Sequence, residues 1–110
     1  MDQYYQPGHL PHFSQIGEGS PELAEKFFAY YNAVFAEGAL SPREKALIAL
    51  AVAHAMQCPY CIDAYSKDCL HQGSDLEQMT EAVHVATAIR GGATLIHGLQ
   101  MLDHVHKLAM

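Results

Sequence analysis

Residues 41–73 read SPREKALIALAVAHAMQCPYCIDAYSKDCLHQG and contain the clearest helix signals of the chain. The motif SPRE at their start has a serine followed three residues later by a glutamate, a spacing typical of a capping box. Further along, Cys58-Pro59-Tyr60-Cys61 predicts a second helix start, because a residue before proline avoids helical conformation and suits the N-cap. Gly73 is suited to the position just past that helix. The stretch therefore predicts two consecutive helices, with a pair of thiols at the start of the second.

The sequence on either side predicts an all-α protein with about five helices. Before the stretch, Ser20-Pro21 starts a helix that ends near Gly38. After it, Ser74-Asp75-Leu76-Glu77 opens a fourth helix as a second capping box, and Gly91-Gly92 ends it. A fifth helix follows over residues 93–107. No segment shows the alternating pattern of a strand.

Residues 1–19 predict an irregular N-terminal arm, since prolines and glycines interrupt any helical period. Tyr4, Tyr5 and Phe13 are large side chains that would anchor this arm on its own domain or on a neighbouring subunit. The helical domain then spans residues 20–110.

Composition limits the classes of function. The chain has 110 residues, a formal net charge of −6 and only 16% charged residues, against about 25% in a typical soluble domain. Its six basic residues are scattered, which disfavours nucleic-acid binding. No apolar run is long enough for a membrane span, and no secretion signal opens the sequence, so we expect a cytoplasmic protein. The high apolar share predicts helix faces buried between subunits of a homo-oligomer.

The two thiols of the motif predict redox or metal chemistry. A helix start favours thiolate through its unpaired amides and its dipole, and Cys61 lies one turn after Cys58, close enough for a disulfide. Either cysteine could attack first. The alternatives are a buried structural pair, or a site for zinc or trivalent arsenic that uses these thiols with Cys69 and His71. Three cysteines without a secretion signal argue against a structural disulfide framework.

Thiol chemistry also needs a group that handles protons. His54 lies four residues before Cys58 and could accept its proton, or could instead bond to a backbone carbonyl. Tyr65, one turn after Cys61, is a hydrogen-bond donor or a half-buried core residue. His84 interrupts an apolar part of the fourth helix and would need a partner, either the thiol site or a carbonyl.

The chain resembles the carboxymuconolactone decarboxylase family, and within it the alkylhydroperoxidase D (AhpD)-like branch. The resemblance covers about residues 20–105 and rests on these motifs: Leu40-Ser41-Pro42-Arg43-Glu44, Leu50-Ala51-Val52-Ala53, Cys58-Pro59-Tyr60-Cys61, Gly73, Glu81-Ala82-Val83, Gly91-Gly92 and His97-Gly98. It implies a compact all-helical subunit, assembly into trimers or hexamers, and disulfide-linked peroxide or thiol chemistry. The motif region is also similar to a peroxidase-like subgroup associated with arsenosugar biosynthesis.

Two positions depart from that branch. Its enzymes have a Glu twelve residues before the first cysteine and a His four residues after the second, where this chain has Ala46 and Tyr65. The usual proton relay is therefore absent, and His54 and His84 are the candidates for a relocated one. The decarboxylating branch lacks the C-x-x-C motif, which disfavours decarboxylation here.

Together these features predict a thiol-dependent peroxidase or disulfide oxidoreductase that acts through Cys58 and Cys61. Its partners would be a peroxide or other small oxidant and an external dithiol reductant, and it would need no organic cofactor or metal. The other hypotheses are a dithiol module that binds arsenite or zinc, and a non-catalytic helical oligomer that has lost the relay.

Overall fold

The computed structural model describes residues 6–109, apart from the side chain of Leu10. The described part is helical and contains no strand, which confirms the all-α class. The elements are a 3-10 helical segment over Pro7–Glu18 (the N-terminal segment), α1 over Pro21–Phe35, α2 over Pro42–Ala55, α3 over Pro59–His71 and α4 over Leu76–Ala109. The predicted anchors Tyr4 and Tyr5 lie outside the described residues.

The start of α2 is fixed by local hydrogen bonds. The Ser41 hydroxyl accepts from the Glu44 amide at 3.1 Å, and the Glu44 carboxylate accepts from the Ser41 amide at 2.9 Å. The predicted capping box is thereby confirmed. These two bonds satisfy amides that a helix start otherwise leaves without partners.

The core lies where α2, α3 and the first turns of α4 meet. Ala46 and Cys69 are fully buried and Leu50 is 2% exposed. Half-buried Tyr65 and Met79 pack around them. Ala46 therefore fills a close helix contact in which a charged carboxylate would lose its hydration, and burying such a charge without a partner is costly.

A single helix of 34 residues, α4, replaces the two helices predicted from residue 76 onward. The prediction that Gly91-Gly92 ends a helix was wrong. A glycine ends a helix by adopting a left-handed conformation, and among the described glycines only Gly73 has a positive φ, 91°. Arg90, next to the glycine pair, donates a hydrogen bond to the Ala55 carbonyl at the end of α2.

The second capping box is displaced by one residue. The Asp75 carboxylate accepts from the Gln78 amide at 2.8 Å, and the Gln78 side chain accepts from the Asp75 amide at 3.0 Å. The predicted N-cap, Ser74, is instead buried, and its hydroxyl accepts from the Arg43 guanidinium at 3.4 Å. A tertiary contact thus replaces the local bond.

Within the described residues, the N-terminal segment forms 3-10 turns that are interrupted by non-helical backbone at His12. The Phe13 ring meets Phe28 of α1 edge-on at 5.2 Å between centroids. A Cβ added to Gly17 would lie 3.0 Å from the Ala24 Cβ, which shows how closely the segment approaches α1. These contacts dock the segment on its own chain, one of the two predicted alternatives.

The described chain is elongated, with principal extents of 60 × 36 × 36 Å and a radius of gyration of 19.0 Å. A compact chain of this length would have a radius of gyration of about 13 Å. In the second half of α4, residues 91–109, every residue except the half-buried Gly98 is exposed. Within the described part of the chain, no helix is long and apolar enough to cross a membrane.

Candidate active site

The thiol pair lies where the chain turns from α2 into α3. Gln57 adopts a left-handed conformation with φ 54°, and the Cys58 amide then donates to the Ala53 carbonyl at 3.0 Å. Cys58 is extended, with φ −102° and ψ 101°, and is the N-cap of α3 as predicted. Its Sγ accepts a hydrogen bond from the Cys61 amide at 3.3 Å, so sulfur takes the place of the usual capping oxygen.

The two thiols are electrostatically unequal. Burial, the hydrogen bond to Cys58 and the charge of Cys58 together raise the pKa of the Cys61 thiol to about 11. The Cys58 sulfur instead accepts a backbone amide at the positive end of the α3 dipole, which is a favourable place for negative charge. The arrangement therefore keeps the Cys61 thiol protonated and leaves the Cys58 sulfur at the amino end of α3. Both cysteines are free and half-buried.

Both thiols line one cavity of about 580 Å³, which is enclosed by the N-terminal segment, α1 and α3. Most of its lining is apolar or aromatic. The lining residues are His9, His12, Phe13, Gln15, Ile16, Phe27, Tyr31, Cys58, Tyr60, Cys61, Ala64 and Tyr65. An uncharged organic molecule of modest size could approach the sulfur atoms here.

Two tyrosines border the thiols. Tyr65, one of the predicted site residues, lines the cavity and stacks on Phe35 with ring centroids 5.4 Å apart. It also packs against the core, which is the position of the predicted half-buried core residue. Tyr31 of α1 lines the same cavity, and its pKa is raised by burial and by the charges of Cys61 and Asp68.

His54 is bonded within its own helix. Its Nδ1 lies 2.9 Å from the Leu50 carbonyl oxygen, to which it donates. This is the carbonyl bond that the sequence offered as the alternative to a catalytic role. The ring borders a separate cavity of about 540 Å³ with Gln57, Pro59, Ile62 and Asp63, and neither thiol lines that cavity.

The other predicted histidine, His84, is exposed on α4 and lines none of the cavities next to the thiols. Among the described side chains it has no hydrogen-bond partner. The structure thus brings Cys58, Cys61 and Tyr65 together, and it leaves His54 and His84 outside their cavity.

Sequence reasoning missed the part of the site that the N-terminal segment contributes. His9 and His12 line the thiol cavity, and the Nδ1 atom of His9 lies 3.1 Å from the Tyr60 hydroxyl. The rings of His9 and Tyr60 are stacked with centroids 6.3 Å apart. The proximity of residue 9 to residue 60 has no local sequence signal; two histidines in an aromatic-rich arm were the only indication.

The hypothetical metal set is not assembled. Cys69 is buried in the core, whereas His71 is exposed in the last turn of α3. Among residues 6–109, no group of three or more His, Cys, Asp or Glu side chains could hold a metal ion.

The fold and the site define an all-helical protein with two unequal thiols at a helix start. The chain belongs to the carboxymuconolactone decarboxylase family, whose sequence profile matches residues 21–104. It is 44% identical over 96 residues to a Paracoccus denitrificans protein named "Uncharacterized protein 4 in cox locus", an alignment that covers 82% of this chain and 86% of that one.

Two crystal structures share the fold. A protein from Methanobacterium thermoautotrophicum is 34% identical with a TM-score of 0.73, over 76% of this chain and 94% of that one. A carboxymuconolactone decarboxylase family protein from Legionella pneumophila is 29% identical with a TM-score of 0.68, over 87% of this chain and 90% of that one. The predicted family and its all-α fold are thereby confirmed.

Proposed function

We propose that the protein is a thiol-dependent peroxidase and disulfide oxidoreductase of the alkylhydroperoxidase D-like kind. The observation that supports this most directly is the inequality of two free thiols at one cavity. Cys58 caps α3 and accepts the Cys61 amide, whereas Cys61 retains its proton because the pKa of its thiol is raised to about 11. A thiolate beside a protonated thiol is the arrangement that a two-cysteine redox cycle begins from.

In the proposed cycle the Cys58 thiolate attacks one oxygen of a peroxide. The O–O bond breaks, sulfur takes the OH group as a sulfenic acid, and the other oxygen leaves and takes a proton to become water or an alcohol. The Cys61 thiol then condenses with the sulfenic acid, forming an S–S bond and releasing water. The two electrons lost by the thiols have reduced the peroxide.

An external dithiol completes the cycle by thiol–disulfide exchange, which returns both cysteines to the thiol state and leaves the partner oxidised. The chemistry uses sulfur alone. It requires a compartment that maintains a dithiol reductant, and the cytoplasm is the proposed location.

Thiol titration before and after one equivalent of an organic hydroperoxide, with mass mapping of the cysteines, tests this function. We expect two of the three thiols to be lost rapidly, a disulfide between Cys58 and Cys61, and full recovery with a dithiol. Cys69→Ser is the matched control and should behave as wild type, because Cys69 is fully buried.

The variants with Cys58→Ser or Cys61→Ser should lose catalytic turnover of peroxide. Normal turnover by the double variant would rule out the proposal. Thiols that stay reduced under peroxide would also contradict it; arsenite or zinc binding by the same thiols would then favour the dithiol module, and the absence of binding would favour a non-catalytic oligomer.

We also propose that the protein is a homo-oligomer, a trimer or a hexamer. The second half of α4 exposes apolar side chains that one chain does not cover: Leu95, Ile96, Leu99, Met101, Leu102, Val105 and Leu108. Soluble proteins seldom leave so large a continuous apolar surface open to water. Sedimentation equilibrium of the purified protein measures the assembly directly.

A further inference from the structure

The thiol cavity contains few groups that can accept a proton near neutral pH. Besides the two thiols, the titratable side chains that line it, among the described residues, are His9, His12, Tyr31, Tyr60 and Tyr65. A phenol near neutral pH is a hydrogen-bond donor and acceptor rather than a base, whereas an imidazole gains and loses a proton there. Asp68, whose charge affects Tyr31, borders a neighbouring cavity instead. The proton acceptor is therefore to be sought in the N-terminal segment.

Of its two histidines, His9 is the one connected to the thiol motif. Its Nδ1 atom lies 3.1 Å from the hydroxyl of Tyr60, the residue that directly precedes Cys61. The backbone amide of Gln6 donates to the same hydroxyl at 3.2 Å. By contrast, His12 lies at the break in the segment, and its Nδ1 is 3.5 Å from the side-chain Nε2 of Gln15.

The Tyr60 hydroxyl can hold His9 in either protonation state. Its oxygen has two lone pairs, so it can accept Nδ1–H of His9 as well as the Gln6 amide. With Nδ1 donating in this way, the free lone pair of the neutral imidazole is on Nε2. Protonation of Nε2 leaves the bond to Tyr60 in place, so the segment need not move when the proton arrives.

We propose that His9 is the proton acceptor of the thiol site, with Tyr60 as the residue that positions it. The S–H bond of Cys58 breaks, its electron pair stays on sulfur, and the proton goes to Nε2 of His9. After the peroxide bond breaks, the same proton passes to the departing oxygen and restores the neutral ring. This inference rests on the proposed peroxidase function, and it replaces the relay missing at Ala46 and Tyr65 with one from the N-terminal segment.

The segment has a second attachment that does not depend on His9. Phe13 packs against Phe27 and Phe28 of α1, with ring centroids 6.5 and 5.2 Å away. Replacing the His9 imidazole should therefore leave the segment docked, which makes His9 variants informative about chemistry as well as structure.

The first measurement is the alkylation rate of Cys58 by iodoacetamide from pH 5 to pH 9, mapped by mass in the intact protein and without peroxide. His9→Gln should slow alkylation at pH 7 by about a hundredfold, the lower end of the effect that losing a positioned base produces, and should move the pH profile to higher pH. Tyr60→Phe should give a smaller loss, since the stacked ring remains. His71→Gln, an exposed histidine on α3 away from the cavity, should match wild type.

Chemical rescue separates proton transfer from packing. His9→Ala leaves space for free imidazole, which should restore the alkylation rate of Cys58, a recovery that a purely structural role would not produce. Equal rates in His9→Gln and wild type, a loss that follows His12→Gln instead, or failure of imidazole to rescue would each overturn the inference.

The same measurements distinguish a failure of the proposed role of His9 from a failure of the proposed peroxidase function. If Cys58 alkylation depends on His9 but peroxide yields no disulfide, the peroxidase proposal fails and the role of His9 stands. If peroxide yields the disulfide at the same rate in wild type and His9→Gln, the peroxidase proposal stands and the role of His9 fails.

Discussion

The α2–α3 helix pair and the second half of α4 use apolar residues in opposite ways. In the pair, Leu50 is 2% exposed against Cys69, and the thiol motif is built on this support. In the second half of α4, Leu95 is 80% exposed and Leu108 is 86% exposed. The pair contains the buried core, although Ile48, Val52 and Leu70 on its outer faces are exposed, whereas no residue in the second half of α4 is buried. The thiol site therefore lies beside the buried core, and the second half of α4 is the surface on which the proposed assembly depends.

The largest effect should come from the core of the helix pair. Leu50→Ala removes a buried side chain beside two fully buried neighbours, and we expect it to lower the free energy of unfolding by about 2–5 kcal/mol. Leu23→Ala on exposed α1 is the matched control and should change it by less than about 0.5 kcal/mol. Urea unfolding followed by circular dichroism measures both. Similar losses at the two positions would remove the contrast between the regions.

The apolar surface of α4 should control assembly rather than folding of the chain. Leu99→Glu places a charge on that surface. We expect the dissociation constant of the oligomer to rise by a factor on the order of ten, which corresponds to a loss of about 1.4 kcal/mol in the free energy of association. Gln100→Glu adds the same charge at the next position and should have less effect. Sedimentation equilibrium reports the shift. An unchanged mass for Leu99→Glu would place the subunit contact elsewhere.

The glycine pair tests whether α4 is continuous. A Cβ added at Gly91 meets no atom within 4 Å in the chain. Because glycine costs about 1 kcal/mol relative to alanine inside a helix, Gly91→Ala should stabilise the protein by up to about 1 kcal/mol. Thermal unfolding measures this, with Gly73→Ala as the contrasting variant, since φ of 91° at Gly73 disfavours alanine. If Gly91→Ala destabilised the protein instead, the result would support the predicted end of a helix at Gly91-Gly92.

The smallest effect concerns alkaline pH at the thiol site. The Cys61 pKa is raised from 9.0 to about 11 in the folded protein, so the folded state holds this proton more tightly than the unfolded state does. The stabilisation is fully present below pH 9 and is lost as pH rises toward 11. We expect a decline of less than about 1 kcal/mol at this half-buried site. The variant Cys61→Ser should show a flatter pH dependence in urea unfolding; an equal decline would assign it to other groups.

Sequence patterns predicted the parts of the fold that depend on neighbouring residues. The Ser41 capping box, the Cys58 N-cap and the left-handed Gly73 all follow from interactions within four residues along the chain. For the same reason the two thiols could be placed together at a helix start, as a candidate site, before any tertiary contact was known.

The remaining features depend on distant contacts. Ser74 does not cap α4, because its hydroxyl accepts a hydrogen bond from Arg43, 31 residues away. The contact of His9 with Tyr60 spans 51 residues. The position of a glycine pair also does not determine whether a helix stops there, since that depends on whether the backbone turns left-handed. Proton-handling candidates chosen by their distance along the chain, such as His54, were therefore the least secure part of the site prediction.

The buried Cys69 gives the protein a reporter of its own motions. Its thiol is fully enclosed in the core of α2 and α3, and burial together with the charge of Asp68 raises its pKa. A thiol reagent can reach it only when these helices separate, so its labelling rate counts opening events of the native state. Cys58 and Cys61 are half-buried and line the cavity, so the same reagent also reports how accessible they are. One thiol reagent applied to the unmodified chain thus gives two labelling rates: one for the accessible thiols at the cavity, and one for the opening of the core around Cys69.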